Sequence, residues 1–578
     1  MATTIKRISM ILAVVIAVIY IGLWIFPVHM MYDFKSIEGT IYKPGTVSIV
    51  EIRKKIVLLP GPHALWAVKT PDGYNVYRNF STFKQSERGR TLSFPIDNFV
   101  NKLIASSKLS SGTPDTSEAF KISEKLLVQF EKFDNKNRSF IRLVVSPDRR
   151  KVLYSQKIDG KICVVTDGKQ GKLYKRINGM SIEYSPDSKR VAYTVRDVQK
   201  WFYVVDGIEQ KHYDAVNYFL TVFSPDSQRT AYIAKSGDNL FAVIDGNEEG
   251  PYDNAFTPYF SPNSKRVAYS VIKRNRAFMV IDGIEGKRYD FVSSPIFSPN
   301  SQRLAYYAKT GNQYSIVIDG IDDGGQYDRI LRSPVFSPDG ERVAYVVQKD
   351  NMYYPIIDGV EGKKYNYQST ENYTSTGATE DIIFSPDSKR IAFKIEEAGK
   401  EFMVVDGLEG KKYDYIFNMP VFSPDSKRLA FKAKLGNNFF VVTNGIEGKK
   451  FKNYIHGFPS KNIYPPQGMR WNVFSPDSKR LTYAVVGKKK VEVILNGKSI
   501  GQHFKIPGAV VFSPDSKHVA YIALDDDKNY VVLKDVGKME YEVAGLAGSG
   551  IAFDSNNSFH FVALKNNGVY LVEVNVEG

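Results

Sequence analysis

The chain has a single cysteine, Cys163, among 578 residues. No internal disulfide can form, and a disulfide-stapled fold is excluded. Its seven histidines are scattered, with no His-x-x-x-His pair and no His/Cys spacing of a metal site. The Gly-x-Ser-x-Gly elbow of a propeller-gated serine peptidase is missing, and Gly548-Ser549-Gly550 reads as a turn instead. There is no phosphate loop, and no lipobox cysteine follows the apolar N-terminal run. Sialidase-type Asp boxes, with glycine two residues after the aspartate, are absent too. These gaps leave no catalytic residue, no metal ligand and no cofactor to nominate. No repeating stretch of the chain leaves room for a helix.

One phrase is present many times over. It reads FSPDSQRTAY from Phe223, FSPNSKRVAY from Phe260, FSPDGERVAY from Phe336 and FSPDSKRLAF from Phe422. Its prolines fall at Pro147, Pro186, Pro225, Pro262, Pro299, Pro338, Pro386, Pro424, Pro476 and Pro514, spaced by 37 to 52 residues. A decayed eleventh copy starts at Ala552. A second phrase, fullest as Val280-Ile-Asp-Gly-Ile-Glu-Gly-Lys-Arg-Tyr-Asp290, sits 20 residues after the proline from Pro225 to Asp245 and from Pro262 to Asp282. Ser-Pro-Asp is turn chemistry: proline presets φ, while Ser and Asp side chains bond nearby backbone N–H groups. Asp-Gly suits a turn that needs positive φ. Between the turns, Val267, Tyr269 and Val271 share one face and Ala268 takes the other, which predicts a strand. Four short strands fit each unit, one ending at Phe-Ser-Pro, one through Val-Ala-Tyr, one through Val-Ile-Asp and one through Lys-Arg-Tyr-Asp. An all-β array of such units is a β-propeller of four-stranded blades.

The phrases resemble the WD-repeat-like modules of TolB-like β-propellers, whose strand ends in Ser-Pro-Asp-Gly/Ser before a basic residue and an apolar strand. The resemblance covers about Val144 to the C-terminus. It implies a bacterial envelope protein that works by binding other proteins. Asp-Gly-x-Glu-Gly after the third strand departs from that family, and so does the number of units. Because known rings mostly have four to eight blades, about eleven units suggest two propellers in series, with one oversized ring as the alternative. The first set is placed at 138–366 and the second at 367–578, divided at the wide spacing from Asn366 to Ile382. The last unit lacks an outer strand. A segment near Leu126 to Phe133 is expected to supply it as a strand, or else to form a helix capped by Thr116 or Ser117.

Lys6 and Arg7 precede an apolar run from Met10 to Val28, close to the ~20 residues that cross a bilayer. With Trp24, Ile25, Phe26 and Pro27 in place of a small-residue cleavage site, it reads as an uncleaved transmembrane signal anchor over 9–29 rather than a cleaved signal peptide. Residues 1–8 would stay in the cytoplasm, placing the rest outside the inner membrane. Residues 30–137 form a juxtamembrane domain and linker, with strands at Thr46–Val50 and Lys55–Leu59 and a more helical Pro95–Lys108.

Asp206, Asp245, Asp282, Asp319, Asp358 and Asp406 recur once per unit, as turn-capping groups do; a calcium site at each Asp-Gly-x-Glu-Gly turn is the alternative. The net charge of +16 concentrates in 449–517, where thirteen basic residues face three acids. Lys452, Tyr454, Phe458, Tyr464, Arg470, Trp471, Lys488, Lys489 and Lys490 are the candidate partner-binding residues, because aromatics and cations on a long loop grip an acidic polymer or a partner protein. The plain alternative is a solvated basic face. The sequence supports a non-enzymatic, membrane-anchored scaffold that binds an envelope protein or an anionic surface polymer and not nucleic acid. A propeller-centred hydrolase or lyase, and a purely structural spacer, are the alternatives.

Overall fold

A computed structural model describes residues 120–130, 140–217, 223–366, 382–452, 455–456, 474–487, 490–506, 509–525 and 528–577. It also gives the backbone of five short strands between residues 40 and 78. The chain divides into two compact units, Met1–Ser111 and Gly112–Gly578. In the first, Thr40–Lys43 pairs with Thr46–Ile49, and Ile56–Leu59, Leu65–Thr70 and Gly73–Arg78 form a three-stranded antiparallel sheet. The expected anchor over 9–29 and the helical stretch Pro95–Lys108 lie outside the described residues. Among the described residues no helix is long and apolar enough to cross a membrane.

The second unit is an all-β propeller of eleven four-stranded blades. Blade 5 shows the pattern. Its first strand comes in two pieces, Phe291–Val292 and Ile296–Phe297. Leu304–Thr310, Gln313–Ile318 and Ile321–Asp322 follow, all antiparallel. First strands of neighbouring blades approach one another, as Arg329–Phe336 of blade 6 approaches Ile382–Phe384 of blade 7. In a radial array the closest strands are those nearest the axis, so the first strand is innermost.

Alternation along the second strand builds the core. Val267, Tyr269 and Val271 pack back onto Ala231, Ile233 and Ala242 of blade 3. Ala268 faces forward onto Leu304, Tyr306 and Ala308 of blade 5. A small residue against the next blade's large one lets the blades interdigitate, and each buried aromatic contributes about 1.5–3 kcal/mol.

The repeated turns are the joints. Ser224 Oγ donates to Asp226 Oδ1 at 2.6 Å, and that oxygen accepts the N–H of Gln228 at 3.0 Å. Ser264 sits at φ +63°, a left-handed conformation that normally favours glycine. Serine is used because its Oγ accepts the N–H of Asp226 in the preceding blade at 2.9 Å. Blade 6 replaces this contact with another. Blade 6 has Gly340, where an added Cβ would meet Asn300 Cγ at 2.4 Å. There Asn300 of blade 5 instead donates to the Asp339 carbonyl at 2.8 Å. Arginine adds a second joint: Arg229 Nε donates to Asp245 Oδ2 at 2.8 Å, its Nη1 reaches the Lys265 carbonyl of blade 4 at 3.1 Å, and it lies 5.1 Å from the Phe260 ring. Asp245, at φ +53°, also accepts the N–H of Thr230 through Oδ1 at 2.9 Å. The once-per-blade aspartates are thus turn and joint residues.

The expected division into two rings at 366/367 is corrected. Asp339 N–H donates to Ser388 Oγ at 3.0 Å and Arg342 Nη1 reaches the Lys389 carbonyl at 2.9 Å, the same joint as elsewhere, across the wide spacing. One apolar cluster joins Ala344 and Val346 of blade 6 to Phe393 and Ile395 of blade 7. The extra residues between Asn366 and Ile382 therefore interrupt the period without interrupting the packing. Closure comes from Phe120–Gln129, which pairs antiparallel with Gly568–Val576 as the fourth strand of blade 11, and the helical alternative for this segment falls away. Blade 11 then meets blade 1 through Arg150, 2.7 Å from both Asp554 and Glu573, and through the ring of His560, 2.8 Å from the Asp148 carbonyl.

Candidate functional site

Antiparallel blades give the ring two unlike faces. On one, the Ser-Pro-Asp turns lie beside the Asp-Gly turns, joined by Arg–Asp pairs such as Arg190 with Asp206 at 2.8 Å. On the other lie the hairpins between second and third strands and the connections from each fourth strand to the next blade. The wide spacing 367–381 falls in such a connection, whereas 457–473 falls within the first strand of blade 9, between Ile455–His456, paired with Ala484 and Val485, and Phe474, paired with Leu481.

Along this hairpin face a carboxylate at the end of the fourth strand caps the next blade's hairpin. Asp214 accepts the N–H of Gly237 at 2.7 Å, Asp290 that of Gly311 at 2.7 Å and Asp414 that of Gly436 at 2.5 Å. Hydrogen bonds from Lys200 and from Gly237 N–H hold the Asp214 carboxyl below its ordinary range. In blade 8 the same position is Lys452, exposed after Phe451. The hairpin that follows it closes from Gly487 N–H to the Lys490 carbonyl at 2.7 Å. Lysine thus stands where an acid caps the hairpin in several other blades, as Lys175 also does after blade 1.

Lys490 is exposed, and its Nζ lies 5.7 Å from the ring of Phe504, itself half exposed. Phe504 N–H is held by Asp525 at 3.0 Å. The other carboxylate oxygen of Asp525 lies 2.6 Å from His503 Nδ1, and His503 Nε2 is 3.2 Å from the Tyr521 hydroxyl. His503 takes the fourth-strand position filled by tyrosine in most blades, for example Tyr252 and Tyr541. Of the sequence candidates, Lys452 and Lys490 are therefore placed on this face, at the step from blade 8 to blade 9. Tyr454, Phe458, Tyr464, Arg470, Trp471, Lys488 and Lys489 lie outside the described residues. Phe504 was not among the candidates, though its place after His503 in a basic stretch was a visible signal.

Behind this face, blades 7 and 8 carry charges where other blades carry none. The fourth residue of the second-strand phrase is Ile233, Ser270, Val346 or Ile522 elsewhere, but Lys394 in blade 7 and Lys432 in blade 8. Lys394 Nζ pairs with Glu401 at 3.3 Å, both largely buried, and lies 5.5 Å from the Tyr415 ring. Glu401 occupies the place of Trp201, Tyr314 and Phe439, and accepts the N–H of Ile416 in blade 8. Burial pushes the Glu401 carboxyl up, against the pull of Lys394. Lys432, wholly buried, stacks 5.3 Å from the Phe417 ring, and burial pushes its ammonium down to about 7. The departures from the repeat at 394, 401 and 432 were visible in the aligned phrases but were not read.

No family model matches the chain, and no curated protein matches it. Solved structures do overlap it. A structure described as that of the eukaryotic initiation factor is 13% identical, with TM-score 0.34, over 68% of this chain and 96% of its own. A Dos1 propeller is 11% identical, with TM-score 0.28, over 56% of this chain and 94% of its own. The β-propeller domain of the Trilobed protease from Pyrococcus furiosus is 14% identical, with TM-score 0.23, over 45% and 92%. Overlap this low adds nothing to what the strand pairing already shows.

Proposed function

We propose that the protein is a binding scaffold whose hairpin face, around blades 8 and 9, takes an anionic surface polymer or an acidic envelope protein. The observation that carries this is the exposed Lys452, which stands where Asp214, Asp290 and Asp414 cap the next hairpin in other blades, together with the exposed Lys490 in the hairpin that follows. Like charges brought together oppose folding slightly and favour an anion between them. Phe504 beside Lys490 gives such a ligand an apolar edge to rest on. The finer reading is a TolB-like, membrane-anchored protein held by residues 9–29 in a bacterial inner membrane with the ring outside. It rests on Lys6, Arg7, the apolar run and the Ser-Pro-Asp phrases.

The test is titration of the full chain with poly(glycerol phosphate), against Lys452→Asp combined with Lys490→Glu. Affinity is expected to fall by about tenfold or more, with a shallower dependence on salt, as fewer phosphates are neutralised. Unchanged affinity and salt slope would remove this face from the account.

A further inference from the structure

The opposite face carries a feature that anion binding does not use. Directly after each Asp-Gly or Asn-Gly turn, the first residue of the fourth strand is Ile208, Ile284, Ile321, Val360, Leu408 or Ile446 in blades 2, 4, 5, 6, 7 and 8. These side chains are between 68% and 77% exposed. In the other blades with this turn the position is Lys169, Asn247 or Lys498. It is never acidic. The acid one residue on is neutralised: Glu209 by Lys172 at 2.7 Å, Asp322 by Lys287 at 3.2 Å, Glu409 by Lys363 at 2.6 Å and Glu447 by Lys411 at 2.7 Å, each lysine from the preceding blade. The aliphatic tips therefore stand in surroundings that present cations and shield the anions.

Positions related by rotation about one axis lie on a circle perpendicular to it, so blades 4 to 8 hold five consecutive tips in one plane. Each tip is separated from the next by a blade's width of polar surface. A protein partner needs a contiguous apolar centre. A lipid interface does not, because it deforms around isolated aliphatic side chains and rewards nearby lysines where headgroups are anionic. We infer that this arc is a membrane-contact surface, seated on the headgroup layer of an anionic bilayer.

The experiment places an environment-sensitive fluorophore on the full chain at Leu408→Cys and, separately, at Asp238→Cys in an exposed hairpin of the other face. Cys163 is wholly buried and stays unlabelled. Phosphatidylglycerol vesicles are expected to shift the 408 emission to the blue and leave 238 unmoved, even where the apolar N-terminal run holds both chains on the vesicle. Adding Ile284→Asn, Ile321→Asn and Val360→Asn should abolish the shift with an unchanged melting temperature. No shift at 408, an equal shift at 238, or an equal shift on phosphatidylcholine would overturn the inference. A shift that grows with protein concentration without lipid would assign the arc to a second copy of the chain and overturn it as well.

Discussion

Replacing Lys432 by methionine should stabilise the ring, and by an amount set by pH. The side chain lies in Leu429–Leu435, between Phe417 on the inner strand and Val441 on the third. It is 1% exposed, and burial moves its ammonium from 10.5 to about 7. Below about 7 both folded and unfolded chains hold the proton, and the fold bears the whole cost of a buried charge. Between about 7 and 10.5 the folded chain has released the proton while the unfolded chain keeps it, so stability rises with pH at about 1.4 kcal/mol per unit. The whole window corresponds to about 5 kcal/mol, an upper bound because Phe417 and polar neighbours favour the cation. Methionine keeps the stem and removes the charge, so its advantage should be largest at about pH 7 and shrink by about 2–3 kcal/mol by about pH 9. Urea midpoints of both proteins across that range give the difference directly, cancelling every other titrating group. Curves that stay parallel would show that Lys432 remains charged in the fold, and the desolvation argument would fail.

Three further outcomes follow from the joints. Ala305 is wholly buried against Phe336 and Val343 of blade 6, so Ala305→Glu should force an unpaired carboxylate between blades and abolish cooperative melting; an unchanged melt would misplace the inter-blade face. Ser388→Ala removes the acceptor for Asp339 N–H across the wide spacing between blades 6 and 7, and should cost about 1 kcal/mol in a urea titration; no loss would mean water replaces it at no cost. Ser123 lies directly opposite Glu573 in the closing strand pair, so Ser123→Cys with Glu573→Cys should form an intramolecular disulfide that raises the melting temperature, whereas disulfide-linked dimers would place Phe120–Gln129 in another molecule.

The blade itself was legible because its turns tolerate few residues. Positive φ at Asp245 and Gly246, and the side-chain bonds of Ser224 and Asp226, hold those letters to Asp, Asn, Ser or Gly in most copies. Strand faces followed from the alternation of Val267, Ala268 and Tyr269. Ring closure was legible only as one of two readings, because the partner of Phe120–Gln129 lies some 440 residues away and its own pattern fits strand or helix alike. The two-ring expectation failed for a related reason. A long connection after Asn366 changes the sequence period, yet the Asp339–Ser388 and Arg342–Lys389 joints depend only on residues outside it. Of the candidate site, Lys452 and Lys490 were found from charge density alone. Their setting, a lysine where other blades have a cap, appears only once Asp214, Asp290 and Asp414 are seen to cap the same hairpin in other blades.

The central claim is that eleven blades close into one ring through the N-terminal strand. Single-particle electron microscopy of the purified chain viewed down the ring axis tests it most directly. One closed ring with eleven spokes is the predicted image; two smaller rings of six and five, or an open arc, would contradict it.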